Sequence, residues 1–209
     1  MVYFPELERF VADWEIPFKR ELSALGRYAD NRGGRTMGNV RLTVPDLRLE
    51  KEYKDFYEEW VESGEDMVPW VIAKEPADFA GMVEWLEKNS AGIGLPEGWV
   101  PDSTFWLVDE TERVLGAVNI RHSLTPFLLS SGGHIGYGIR PSARRKGYAT
   151  KLLELALEKT AELGIAKVLV VCDRSNEASA RTILNNGGIE AAPHTEENGN
   201  VVRRFWIGG

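Results

Sequence analysis

The sequence predicts a mixed α+β domain, a central and mostly antiparallel sheet of about six or seven strands flanked by helices, with an extra helical segment at its N-terminal end. Three observations predict it. Residues 104–109 and 114–121 are strand-like runs joined by the short polar connection Glu110-Thr111-Glu112-Arg113, as in a hairpin. Residues 150–163 form an amphipathic helical pattern followed by Lys-Val-Leu-Val-Val-Cys at 167–172, a strand–helix–strand crossover with a strand apolar enough to be buried on both faces. The chain has 209 residues, 43% of them hydrophobic and 27% charged, enough to bury a core without staples.

Taken in order, Leu7, Phe10, Val11, Trp14, Phe18, Leu22 and Leu25 recur at spacings of three and four, one helical face over 5–28 that Pro17 should kink. Asp30-Asn31-Arg32-Gly33-Gly34-Arg35 is the best linker in the chain, so residues 1–36 read as an appendage and 37–209 as the main domain. Residues 40–47 read as a strand. A helix over 49–63 carries Tyr53, Tyr57 and Trp60 on one face, and a second helix covers 77–88. After a loop through Pro96-Glu97-Gly98-Trp99 come the hairpin strands and a third strand over 134–140. The helix at 150–163 ends at Gly164, another helix fits 177–185, and the chain closes with two short strands around Glu197-Asn198-Gly199-Asn200, where Asn-Gly signals a tight turn.

Composition excludes several functions. The net charge is −7, which makes the chain a poor polyanion binder and argues against nucleic acid. Cys172 is the single cysteine, so an intramolecular disulfide framework and a multi-cysteine zinc site are ruled out and a reducing compartment is the default. The acidic, interrupted N-terminus does not fit a secretory signal, and no apolar run approaches the roughly 20 residues needed to span a bilayer. A cytoplasmic protein with no membrane partner and no metal is expected.

One segment inverts the overall charge. Residues 140–153 hold Arg140, Arg144, Arg145, Lys146 and Lys151, with Glu and Asp absent from 140 through 153. Here a strand ends at Pro141, a basic turn with Gly147 follows, and a helix begins near Tyr148 or Ala149. Free N–H groups at a helix start, the helix dipole and flanking cations together make an anion site, and Gly147 lets a phosphate approach the backbone. The glycine spacing fits neither a Walker A loop, since no Gly-Lys-Ser or Gly-Lys-Thr occurs, nor a dinucleotide fingerprint, since Pro141 stands where Gly136-x-Gly138 needs a third glycine.

Arg144-x-x-Gly147-x-Ala149 resembles the pyrophosphate-binding motif of the GCN5-related N-acetyltransferase (GNAT) superfamily, and Asn176-Glu177-Ala178-Ser179 is similar to the start of that family's next helix. Arg121-His122, Gly132 to Tyr137 and Arg140-Pro141-Ser142 resemble a bacterial subgroup of predicted acetyltransferases. The resemblance covers 40–207 in element order and implies the GNAT acyl-CoA acyltransferase fold, with acetyl-CoA as acyl donor. It implies that the amides of Arg145, Lys146, Gly147, Tyr148, Ala149 and Thr150 bind the pyrophosphate beside Arg144. The strand ending at Ile139 would pair with the pantetheine arm, Gly138 or Ile139 N–H would polarise the thioester carbonyl, and Asn176 would contact the arm.

The expected reaction is direct transfer to a primary amine of a small molecule, amino acid or peptide, by a monomer or homodimer. The family's usual tyrosine, seven residues after the Asn, is replaced by Ile183. Tyr137 is then the candidate acid and His134 the candidate base, although strand alternation puts them on opposite faces. The missing tyrosine also motivates an alternative, a catalytically idle acyl-CoA-binding module. His122 and Asp173 read as structural and Cys172 as core. Trp70, Trp99 and Trp106 are candidate walls of the acceptor pocket, with Glu97 and Asp102 as candidate carboxylates.

Overall fold

In the computed structural model, which describes residues 38–209, strands and helices alternate much as the patterning predicts. The elements are β1 (Val40–Thr43), α1 (Glu50–Ser63), α2 (Phe79–Ser90), β2 (Asp102–Asp109), β3 (Val114–Arg121), β4 (Ile135–Ile139), α3 (Tyr148–Glu162), β5 (Lys167–Asp173), α4 (Glu177–Asn185), β6 (Ile189–Thr195) and β7 (Val201–Gly208). They build a seven-stranded sheet in the order β1-β2-β3-β4-β5-β7-β6. Every neighbouring pair is antiparallel except β4 with β5. The readings made for residues 1–36 lie outside the described residues.

Local chemistry sets the boundaries. The strand expected over 40–47 stops at Thr43, because Pro45 has no N–H to donate and Asp46 accepts from Arg48 N–H to start a 3-10 turn at Leu47–Leu49. Helix α1 buries Tyr53, Phe56 and Trp60 and ends at Gly64, whose φ of 65° is the left-handed cap. Asp78 caps α2 by accepting from Gly81 N–H.

Each sheet face carries its own core. Tyr53, Phe56, Trp60, Met82 and Leu86 of α1 and α2 pack on Trp106, Val108 and Ala117. On the other face Leu152, Leu153 and Ala156 of α3 and Ile183 of α4 pack on Leu107, Val118, Ile120, Ile135 and Phe205. Trp106 stacks on Tyr53 with ring centroids 4.4 Å apart and has no exposed surface, so it is core and not the pocket wall expected from sequence.

A guanidinium buried at the end of β4 joins the sheet to α1. Arg140 is only 2% exposed. It donates to Glu59 and to the Val114 carbonyl, and its Nη2 lies 2.8 Å from Asp55 Oδ2. Glu59 also accepts from Ser142 N–H at 2.6 Å and from the Ser142 hydroxyl at 3.0 Å. Burial pushes the Glu59 carboxyl up, but these donors and the Arg140 charge outweigh it and hold it below the usual glutamate value. Glu59→Gln should therefore cost about 2 kcal/mol, less than a fully stranded buried charge because Asp55 remains. With the folded value depressed, the stabilisation is full above the ordinary 4.5 and is lost as pH falls through the lower folded value. Urea midpoints of wild type and variant should differ by a constant amount at neutral pH and draw together as pH falls below 4.5.

Candidate active site

Strands β4 and β5 part almost as soon as they meet. Their ladder has the single pair Ile135↔Val170, whereas β4 stays paired with β3 from Ile135 to Ile139. His134 makes the join: its N–H donates to the Leu169 carbonyl at 2.7 Å and its ring Nδ1 accepts from Leu169 N–H at 2.9 Å. Beyond it a cleft opens. At one end of the β3–β4 ladder Arg121 N–H donates to His134 C=O, and at the other Arg140 N–H donates to Leu115 C=O. Antiparallel alternation between these bonds turns Gly136 and Gly138 toward β3 and the peptide groups of Tyr137 and Ile139 toward the cleft. The two expected thioester donors are thereby distinguished, since Ile139 N–H faces the cleft and Gly138 N–H belongs to the β3 ladder.

Gly138 has a different reason to be glycine. A Cβ there would stand 2.0 Å from the Val68 carbonyl oxygen, and one at Gly136 would meet Pro69 Cβ at 3.4 Å. The connection between α1 and α2 thus lies directly on β4, on the face opposite α3.

At the far end of the cleft the chain turns through Pro141–Ala143 into α3. Arg145 has φ 59° and Gly147 φ 85°, and Gly147 at the N-cap offers no side chain to the first-turn amides. Tyr148, Ala149 and Thr150 therefore begin the helix with N–H groups that have no intrahelical acceptor. The five basic side chains divide by role. Arg140 is buried against α1. Arg144 donates to the Ile139 carbonyl at 3.0 Å, pairs with Glu65 and lies over the Trp60 ring. Lys146 Nζ donates to Ser142 C=O and Lys151 pairs with Glu154. Arg145 makes no hydrogen bond or ion pair among the described residues and is exposed. Much of the basic inversion in the sequence thus serves the fold, and the Arg144 guanidinium, expected at the cofactor, is committed to β4 and α1.

The candidate proton-transfer groups also separate. Tyr137 points to the α3/α4 face, where its hydroxyl lies 3.0 Å from Ser179 Oγ and burial pushes its pKa up to about 12. His134, expected as the base, is 6% exposed, and its Nδ1 lone pair is occupied by Leu169 N–H. With the proton on Nε2, it has no free lone pair to take another, and burial together with the Arg121 charge depresses its pKa. It holds β4 to β5 instead. Asn176 caps α4, its Oδ1 accepting from Ser179 N–H at 3.0 Å, while its exposed Nδ2 remains a donor. Ile183 is fully buried.

The structural readings of the other groups have physical partners. His122 Nε2 lies 2.8 Å from Ser103 Oγ, Asp173 Oδ1 accepts from Asn200, and the Cys172 thiol is buried and raised in pKa by that burial. Trp70 packs edge-on against Trp99, centroids 5.0 Å apart. Two groups escape the sequence reading. One is Glu59, one helical turn from Asp55, a pairing the i, i+4 spacing could have flagged. The other is a polar row in which Thr104, Asn119 and Arg121 join Asp102, already a candidate carboxylate, spaced by two on adjacent strands so that all share one face. Burial raises the Asp102 carboxyl against the opposing effects of Asn119, Arg121 and His122.

The Acetyltransferase (GNAT) domain model matches residues 41–189. No curated protein matches the sequence. Among solved structures, the ribosomal-protein-S5-alanine acetyltransferase of Vibrio fischeri is 11% identical, with a TM-score of 0.61 over 83% of this chain and 95% of that one. The microcin C7 self-immunity acetyltransferase, in complex with acetyl-CoA and AMP, is 14% identical, with a TM-score of 0.59 over 81% of this chain and 92% of that one. Spermidine N-acetyltransferase of Vibrio cholerae is 18% identical, with a TM-score of 0.55 over 81% of this chain and 93% of that one. At these identities the likeness speaks for the fold. The family model covers most of the described domain, and the opened β4–β5 cleft leads to an uncapped helix start: the chain belongs to the GNAT family of acetyltransferases, and it is an acyltransferase.

Proposed function

We propose that the protein transfers the acetyl group of acetyl-CoA directly to a primary amine of a small molecule, amino acid or peptide. The observation that carries this reading is the continuity of the cleft. Cleft-facing peptide groups at Tyr137 and Ile139 run into the free amides of Tyr148, Ala149 and Thr150, so one groove offers partners for an extended amide-bearing arm and for a polyphosphate. These groups suit acetyl-CoA, whose thioester supplies the activated acyl carbon. Arg145 adds a free cation at the turn, and the amides of Lys146 and Gly147 lie beside it. Ile139 N–H is positioned to donate to the thioester carbonyl, where charge develops during attack. Asn176 Nδ2 is a donor for the arm from the β5 side. The N-acetyltransferase activity named for the related spermidine enzyme supports an amine acceptor.

Tyr137 is the proton donor in this reading. Its hydroxyl, held by Ser179, stays protonated at neutral pH and projects from β4 to α4, the helix that carries Ile183. The burial of Ile183 favours a second reading, a module that binds acyl-CoA without turning it over. We place the protein in the cytoplasm because its one thiol is Cys172, and propose residues 1–36 as an appendage to a domain over 37–209 that acts as a monomer or homodimer. Among the described residues no helix is long and apolar enough to cross a membrane.

Titration calorimetry with acetyl-CoA tests the donor half; no binding at about millimolar concentration would overturn it. Binding without thiol release across a panel of amines would favour the idle module. Arg145→Ala should weaken acetyl-CoA binding by about threefold to tenfold at low ionic strength, with the loss shrinking as salt is raised and thermal stability unchanged. Tyr137→Phe should lower kcat by about a hundredfold at nearly constant KM, because the hydroxyl acts on the departing thiolate and not on substrate binding.

A further inference from the structure

The cleft has a second wall, the end of β5. Past its single pairing with β4 that strand continues as Val171, Cys172 and Asp173, and its register with β7 settles which face each side chain takes. Cys172 and Phe205 lie in the core beneath α3 and α4. Alternation therefore turns Val171 and Asp173, with Arg204 and Val202 opposite them, to the face shared by α1 and α2. Gly138 is on that face too, under Val68. Counted from the Ile135↔Val170 pair, Gly138 and Asp173 are each three residues along parallel strands, so they stand at one level on opposite sides of the opening. An extended arm held between the strands would lie one strand spacing, about 4.8 Å, from each. Asp173 is thus the carboxylate across the cleft from the Ile139 amide.

The hydrogen bond that gives Asp173 a structural role uses only one of its oxygens. Oδ1 accepts from Asn200 Nδ2 at 2.8 Å, and the same amide donates to Glu196 Oε2 at 3.0 Å, so the β6–β7 turn holds the carboxylate in one orientation. Oδ2 has no hydrogen-bond partner among the described residues, and Asp173 is exposed. Arg204, diagonal to it on the same face, spends its guanidinium on the Leu129 and Ala192 carbonyls. A carboxylate oxygen only accepts, so what Asp173 offers the cleft is a place for an N–H donor. The rest of that rim is Gly138, Val171 and Val68, which is 43% exposed. One negative charge beside apolar surface suits an amine at the end of an apolar stem.

We propose that Asp173 orients the acceptor: its Oδ2 accepts an N–H of the incoming primary amine and leaves the nitrogen lone pair aimed at the acyl carbon beside Ile139 N–H. This rests on the acetyl-transfer reading above. The amine arrives as an ammonium and sheds one proton to water at the exposed rim. Its lone pair forms the C–N bond as the C–S bond breaks, and a second proton leaves the new amide nitrogen to water. The departing thiolate takes its proton from the Tyr137 hydroxyl, as in that reading, and solvent restores it. Because the ammonium is drawn by an exposed charge, salt weakens its capture.

Thiol release by the full-length protein at saturating acetyl-CoA, with butylamine as the acceptor at neutral pH, tests it. At low salt Asp173→Asn, which keeps an acceptor for Asn200, should lower kcat/KM for butylamine by about tenfold, mostly through KM, and leave the acetyl-CoA Kd within about twofold. Raising the salt from about 0.02 to about 0.3 M should shrink that difference to about threefold, because the wild type loses its advantage and the variant has none to lose. Asp173→Glu should keep the salt dependence of the wild type. A change below about twofold in Asp173→Asn, or a loss that salt leaves untouched, would overturn the assignment. So would no turnover of butylamine by wild type that binds acetyl-CoA, and each of these results leaves the donor site standing. Failure of the wild type to bind acetyl-CoA would instead overturn the reading beneath it.

Discussion

A guanidinium taken out of water must be surrounded by acceptors, and the demands of Arg140 organise much of this molecule. Its partners come from α1 and from β3, and Glu59 serves Arg140 and the Ser142 amide at once. The turn that leads from β4 to the uncapped end of α3 is thereby held from below by α1. Arg144 repeats the arrangement one turn later, bridging the Ile139 carbonyl to Glu65. Two arginines that look like phosphate ligands are thus braces, and what stays unspent at the turn is the first-turn amides of α3 and the Arg145 side chain.

The second constraint is the parting of β4 from β5. Parallel neighbours ordinarily pair along their length, and a strand released from its partner has to satisfy its polar groups elsewhere. His134 closes the ladder with its own ring where the backbone stops doing so, and Arg144 takes the Ile139 carbonyl. What remains toward the cleft is the set of groups that a bound chain could engage. The pleat then sorts the side chains, sending Tyr137 toward α4 while the glycines face α1 and the α1–α2 connection.

Patterning that depends on neighbours in sequence is legible in this chain. The strand-like run locates β3 at 114–121, and Asn176-Glu177-Ala178-Ser179 marks the start of α4 at 177–185. The glycine turn before α3 and the free amides behind it can also be read, because capping is local chemistry. Long-range pairing cannot. That Arg140 is buried while Arg145 is free depends on where α1 docks, some 80 positions earlier, as the separation of 81 between Glu59 and Arg140 makes plain. His134 looks like a titrating base until the Leu169 amide is seen to occupy its lone pair. The row from Asp102 to Arg121 becomes a cluster only when two strands are placed in register.

The contact between Gly138 and Val68 limits how this protein can change. A position where any Cβ would collide with a backbone oxygen admits no graded series of side chains, so at Gly138 the strand cannot widen or narrow the space above it by substitution. The α1–α2 connection has no such restriction, since Met67, Val68 and Trp70 keep side chains that can vary without moving the strand. Whatever change this face of β4 undergoes at Gly138 must therefore come from the connection above it, through side chains at 66–70.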